Sequence, residues 1–225
     1  MTAGTPSSCP KTGILWDMDG VLVDSGRLHY LSWRDTLAHY NIPFSEDDFQ
    51  HTFGMNNTGV LNSVTDNQIE PELIQMISTE KENLFREKLP GQVNPLPGVR
   101  IWLQKLGKAG FVQVVASSAP LQNIHALLQT LDLQHYFQAL ISAEGMRGKP
   151  DPQVFLYAAS QINITPECCL VIEDSINGIR AAASAGMKCL AITTTHEKSE
   201  LYDADRIIES FKDHPPRTTV MQLLS

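Results

Sequence analysis

Apolar positions along the chain follow two patterns. Five short runs rich in β-branched residues are apolar at nearly every position: 13–17 (GILWD), 111–117 (FVQVVAS), 139–143 (ALISA), 168–174 (CCLVIED) and 188–194 (KCLAITT). A strand covered on one face alternates apolar and polar residues, so these continuous runs predict strands buried on both faces. From Gly110 onward the segments between them are spaced as helices: Leu121, Ile124, Leu127, Leu128 and Leu131, then Val154, Phe155, Ala158 and Ile162, then Ile179, Ala182 and Ala183. Strands alternating with amphipathic helices predict a parallel sheet with helices on both faces. Residues 205–209 (DRIIE) predict an added edge strand, and 218–225 (TTVMQLLS) a closing helix.

One interval breaks the alternation. Between Ser25 and Asn94 no strand pattern is found, whereas Leu28, Leu31, Leu37 and Tyr40 fit one amphipathic helix and Ile69, Leu73, Ile77, Leu84 and Phe85 a second, longer one. Pro95 and Pro97 stop helical structure at the far end. The expected organisation is a flexible leader over 1–12, an α/β core over 13–24 and 95–225, and an all-helical insert over 25–94 that joins the core at 22–26 and 91–97.

Length and charge narrow the function. A chain of 225 residues can bury one sizeable core carrying a smaller module. No apolar stretch reaches the roughly 18 to 20 residues needed to span a bilayer. The opening MTAGTPSSCPKTG lacks the charged-then-apolar layout of a secretory signal, so a cytoplasmic protein is expected. Lys and Arg number 17 against 25 Asp and Glu, a formal charge of -8, which argues against nucleic acid and anionic membranes as partners. Cys9, Cys168, Cys169 and Cys189 show no CxxC spacing, and buried reduced thiols are the expectation. Cys168 and Cys169, if both lie on a strand, face opposite sides.

In an open parallel sheet, ligands bind beyond the carboxyl ends of the strands. That rim is where the polar residues of this chain collect. The first strand runs into Asp17 and Asp19, the second into Ser117 and the fourth into Glu173 and Asp174, while Lys149 sits in a GKPDP turn. Crowded carboxylates stay ionised only beside a compensating cation. Oxygen ligands without a His or Cys cluster nearby favour Mg²⁺, which completes its shell with water and substrate phosphate. A carboxylate is also a competent nucleophile toward phosphorus.

Four segments, DMDGVLVDS (17–25), VVASSA (114–119), GKPDP (148–152) and VIEDSINGIRAAASAG (171–186), resemble the motifs of the haloacid dehalogenase-like superfamily. Their order and spacing, and the helical insert after the first, are similar to its β-phosphoglucomutase-like phosphatase branch. The resemblance implies a Rossmann-like parallel-sheet core of three α/β/α layers with an inserted helical cap. It also implies a Mg²⁺-dependent phosphatase that hydrolyses a small phosphomonoester, such as a sugar phosphate, through an aspartyl-phosphate. In that scheme Asp17 is the nucleophile, and Asp19 protonates the leaving oxygen and then activates water. Asp17, Asp174 and the backbone carbonyl of Asp19 hold the metal, with Glu173 a direct ligand or an outer partner. Ser117, the amides of Ser118 and Ala119, and Lys149 bind the transferring phosphoryl group. Gly20 permits the reversal after the acid, and Asp24 could steady that loop.

Substrate choice is expected from the cap, with Arg27, His29 and the FGMNNTG loop at 53–59 as candidates, and with His29 placed to bond Asp19. In the mutase a cap arginine grips the distant phosphate; here the matching position is Asn57, which weakens the mutase reading relative to hydrolysis, although Arg27 could substitute. A non-catalytic phosphate-binding or regulatory module on the same scaffold is the remaining alternative. The expected partner is a small phosphate ester, and the expected state a monomer.

Overall fold

A computed structural model describes residues 9–224. Six strands form one parallel sheet: β1 (Gly13–Trp16), β2 (Val112–Ser117), β3 (Ala139–Ser142), β4 (Cys169–Glu173), β5 (Lys188–Ile192) and β6 (Arg206–Ile208). Their order is β3-β2-β1-β4-β5-β6 and every neighbouring pair is parallel. The chain therefore works outward from β1 in both directions, and the central crevice opens where β1 meets β2 and β4.

Successive residues of a strand face opposite layers, and the core divides accordingly. On one face Ile14, Trp16, Val115, Leu170 and Ile172 pack with α5 (Val99–Lys108), α6 (Leu121–Thr130) and α9 (Pro216–Leu224). On the other, Leu15, Val114, Ala116 and Val171 pack against α7 (Gln153–Gln161) and α8 (Ile176–Ser184). This is the three-layer α/β/α arrangement expected from the two-sided apolar runs. β1 and β4 are buried along their whole length, and each fully buried Leu or Ile contributes roughly 1.5–3 kcal/mol relative to exposure.

Between β1 and β2 lie α1 (Gly26–His39), α2 (Glu46–Thr52), α3 (Asn57–Val64) and α4 (Pro71–Lys88). They share a separate apolar cluster of Trp33, Leu37, Phe44, Val60, Leu61 and Ile77. α1 and α4 correspond to the two amphipathic patterns read above; α2 and α3 are the helices that periodicity did not reveal. The chain leaves and re-enters the sheet side by side, with the Leu96 amide donating to the Leu22 carbonyl at 3.0 Å and Val23 bridging to Pro95.

Two expectations are corrected. Cys9 and Cys168 form a disulfide, so only Cys169 and Cys189 are buried free thiols. The bond, together with the Val112 amide donating to the Thr12 carbonyl at 3.0 Å, ties residues 9–12 to the start of the sheet instead of leaving them loose. The rest of the expected leader, and the final residue of the closing helix, lie outside the described residues. Cys168 also closes a 3₁₀ turn (Pro166–Cys168) opened by a proline, which delays β4 by one residue relative to the sequence reading.

Candidate active site

Asp17 follows directly on β1, its amide donating to the Ile172 carbonyl of β4 at 3.0 Å. Its carboxylate accepts from Lys149 Nζ at 2.5 Å, and the same ammonium donates to Glu173 Oε1 at 2.7 Å. All three side chains are at most one-tenth exposed. Burial pushes Asp17 up, and the negative charge of Glu173 adds to this against the pull of Lys149, to leave it at about 7. Burial alone would lower Lys149, but Asp17 and Glu173 hold it above the ordinary lysine range.

Glu173 has little left to offer a metal. While Oε1 meets Lys149, Oε2 accepts from the amides of Asp174 (2.7 Å) and Ser175 (2.8 Å) and from the Ser175 hydroxyl (3.0 Å). It acts as a bracket between Lys149 and the start of α8. Those bonds hold it ionised, below the ordinary range, despite its burial. Asp174 differs. Burial, together with the charges of Glu173 and Asp17, drives it well above the ordinary range, and the Thr195 hydroxyl is its hydrogen-bond donor.

Asp19 sits beyond the turn, where Gly20 has a φ of +82° that L residues rarely adopt. A Cβ on Gly20 would overlap the Asp174 carboxylate and crowd Thr195, so only glycine lets this loop lie against the rim. Asp19 Oδ1 accepts from the Ser25 hydroxyl and from His29 Nε2, the latter at 3.2 Å. Burial raises Asp19, but His29, Ser25 and Lys81 outweigh it and hold the group below its ordinary value. His29 stacks on Phe85, and its Nδ1 lies 2.9 Å from Lys81 Nζ. An ammonium only donates, so Nδ1 is the acceptor and Nε2–H faces Asp19. Ser117, at the end of β2, accepts from the Ala119 amide at 3.1 Å, and Ser142 fixes the same loop through the Ala119 carbonyl at 2.7 Å.

These residues line a cavity of about 520 Å³, floored by the strand ends and roofed by α1, α3 and α4. Asp17, Asp19, Ser117, Ser118, Lys149, Glu173, Asp174, His29 and Asn57 all reach it. Arg27 does not. It is two-thirds exposed, paired with Glu46 at 3.0 Å, and borders a different cleft that also receives the exposed Asp24. Asn57 donates to Glu82 Oε1 at 2.9 Å.

Sequence reasoning missed Ser25, Lys81, Asn123, Thr194 and Thr195. Thr194 and Thr195 lie two and three residues beyond the end of β5, so the strand-end argument could have found them. Lys81 and Asn123 lie inside helices, where nothing in the spacing marks them.

The surplus of buried carboxylate over cation at this rim suits a hard dication. Among the described residues, no three His, Cys, Asp or Glu side chains converge as a ready cage. Ser25 and His29 draw the Asp19 carboxylate aside, and Lys149 and the α8 amides occupy Glu173. The side-chain ligands open to a metal are therefore Asp17 and Asp174, which suits an ion that keeps several waters.

The profile described as haloacid dehalogenase-like hydrolase matches residues 14–192. The chain belongs to this family. It is 31% identical over 180 residues to a phosphorylated carbohydrates phosphatase of Thermotoga maritima, covering 78% of this chain and 82% of that protein. It is 27% identical over 210 residues to a β-phosphoglucomutase of Bacillus subtilis, covering 89% and 90%. Among solved structures, a HAD hydrolase, family IA, variant 3, of Entamoeba histolytica superimposes with a TM-score of 0.85 at 25% identity, over 95% of this chain and 99% of that one. The protein is an enzyme of this family, a phosphoric monoester hydrolase. No helix among the described residues is long and apolar enough to cross a membrane.

Proposed function

We propose that this haloacid dehalogenase-like enzyme hydrolyses the monophosphate of a sugar or similar small polyol through an aspartyl-phosphate on Asp17. The observation that carries the reading is Lys149 clamped between Asp17 and Glu173 on the floor of the cavity. The clamp holds one carboxylate oxygen of Asp17 and supplies positive charge where phosphoryl oxygens would gather.

Asp17 attacks phosphorus, and the P–O bond to the sugar breaks as Asp19 hands its proton to the departing oxygen. Asp19, now ionised, takes a proton from water; the hydroxide displaces Asp17 from phosphorus, releasing phosphate and restoring both carboxyl groups. His29, Ser25 and Lys81 hold Asp19 ionised in this arrangement, so it must take up a proton before the leaving oxygen departs; both of its bonds fall on Oδ1, which leaves Oδ2 to receive that proton. The Ser117 hydroxyl and the Ser118 amide orient the phosphoryl oxygens, the Ala119 amide being taken by the Ser117 oxygen. Magnesium held by Asp17, Asp174 and the Asp19 carbonyl would supply the charge that lets the phosphate approach these carboxylates. The helical insert serves as the cap that keeps bulk water from the floor.

Hydrolysis is favoured over phosphomutase chemistry by the far wall. A mutase must grip a second phosphate while its intermediate turns. Arg27 faces another cleft, Asn57 is engaged with Glu82, and Arg86, which does line the cavity, already donates to Asn83 and Asn123. A cytoplasmic setting would supply such metabolite esters, while the Cys9–Cys168 bond argues for a more oxidising one; cell fractionation with non-reducing mass spectrometry decides between them.

The test is a screen of sugar and polyol phosphates read out as inorganic phosphate. Release that needs Mg²⁺, stops with EDTA and is absent in Asp17→Asn is expected, with a phosphorylated Asp17 trapped during turnover. Wild-type turnover by Asp17→Asn refutes the reading. Interconversion of glucose 1-phosphate and glucose 6-phosphate faster than phosphate release reverses the choice in favour of the mutase.

A further inference from the structure

α4 carries three charged residues on the side that faces the sheet domain, Lys81, Glu82 and Arg86, and two of them are buried. Lys81 is 1% exposed and Glu82 6%, values at which ionised side chains persist only when fully bonded. Glu82 Oε1 accepts from Lys81 at 2.8 Å and from Asn57 at 2.9 Å, and Oε2 accepts from Asn123 Nδ2. Arg86 donates to Asn123 Oδ1 at 2.6 Å. Asn123 is wholly buried and belongs not to the helical insert but to α6, the helix that follows the Ser117–Ala119 loop.

One amide thus reads two residues a helical turn apart. A carboxylate can only accept and a guanidinium only donate, so the Asn123 side chain has a single orientation that satisfies both. No carboxylate or hydrocarbon side chain at 123 can do the same. On the neighbouring residue of α4, Lys81 meets His29, and His29 meets Asp19 back on the sheet side. Beside the apolar contacts of Phe85 and Leu89 with the sheet domain's core, α4 is therefore fastened by polar bonds at two places, directly through Asn123 and by way of His29 at Asp19.

We infer that Asn123 is a positioning residue, setting the seat of α4 over the cavity and through Lys81 and His29 the placement of Asp19. The inference rests on the phosphatase reading for its kinetic consequence, but the fastening itself can be measured without turnover. Glu82 and Arg86 give the core helix a charge pattern to recognise, so a change that reverses the pattern on both sides should restore the seat. Asn123→Asp sets two carboxylates against each other across the interface. It leaves α6 itself sound, because residue 123 lies in the first turn of that helix, where a negative charge is favoured. Adding Glu82→Gln replaces the repelling carboxylate of α4 with an amide that donates to the new carboxylate on α6, accepts from Lys81 and Asn57, and leaves Arg86 its acceptor.

The experiment compares wild type, Asn123→Asp, Asn123→Ala and the double variant Asn123→Asp with Glu82→Gln. Amide hydrogen exchange of 71–88 is followed in each, together with kcat and KM on the best ester of the screen. The expected result for Asn123→Asp is faster exchange in α4 and a fall in kcat of about tenfold or more with a smaller change in KM; the exchange returns most of the way in the double variant, and kcat only in part, because with Glu82→Gln the side chain no longer neutralises Lys81. Asn123→Ala, which adds no charge, falls between. The inference is overturned if α4 exchanges at the wild-type rate in both single variants, or if the double variant is no better than Asn123→Asp. Should the wild type release phosphate from no ester, the phosphatase reading fails, and the exchange measurements still judge the fastening.

Discussion

Lys149 is the pivot of the rim: without it the buried carboxylates Asp17, Glu173 and Asp174 would face one another with no ammonium between Asp17 and Glu173. Even with it, Asp17 stands at about 7 against an ordinary value of 3.8. A carboxyl raised on folding favours the folded state when protonated, so its contribution is whole below about pH 4 and is lost as pH rises through about 7. Divalent metal held by Asp17, as proposed above, would bind the ionised form and reverse the loss. Metal-free protein is therefore expected to melt at lower temperature at about pH 8 than at about pH 5, with added MgCl₂ raising the melting temperature more at the higher pH. A magnesium shift equal at both pH values would remove Asp17 from the metal site. At this scale the sequence was readable where residue type and strand-end position coincide, as for Asp17, Ser117 and Asp174. It was silent on Lys81 and Asn123, whose role depends on which helix faces which.

Elements matter here chiefly through their ends. α8 begins at Ser175, whose hydroxyl accepts from the Gly178 amide at 3.0 Å, and the Glu173 carboxylate occupies the space where a Cβ on Gly178 would stand. Two effects oppose each other in Gly178→Ala. Alanine favours the helix by about 1 kcal/mol, but it evicts Glu173 from charged hydrogen bonds contributing about 1.5–3 kcal/mol each. The second wins. A net loss of about 1–3 kcal/mol in urea unfolding, with reduced turnover, is expected, and a more stable, fully active variant would contradict the bracket role of Glu173. The strands were legible because continuous apolar runs leave few alternatives. α2 and α3, of 7 and 8 residues, were not, since two turns are too short for a periodicity to declare itself.

For the whole molecule, the Cys9–Cys168 bond closes a loop of 159 residues at the end of the sheet opposite the rim. No spacing rule links cysteines so far apart; the pairing follows from β1 lying beside β4, where Gly13 is in register with Cys169. Chain-entropy reasoning gives such a loop an upper limit of about 5 kcal/mol. Reduction, or Cys168→Ser, is expected to lower the melting temperature while leaving kcat unchanged, because β4 holds the bond about 17 Å from its catalytic end. A loss of kcat in the folded, reduced protein would tie the two ends together. At 22–23 and 95–96 the outgoing and returning chain share one doorway. Whatever hangs from such a doorway can be exchanged wholesale while the hydrolytic floor stays put, so a relative's helices grafted between those points should carry that relative's taste in sugars with them.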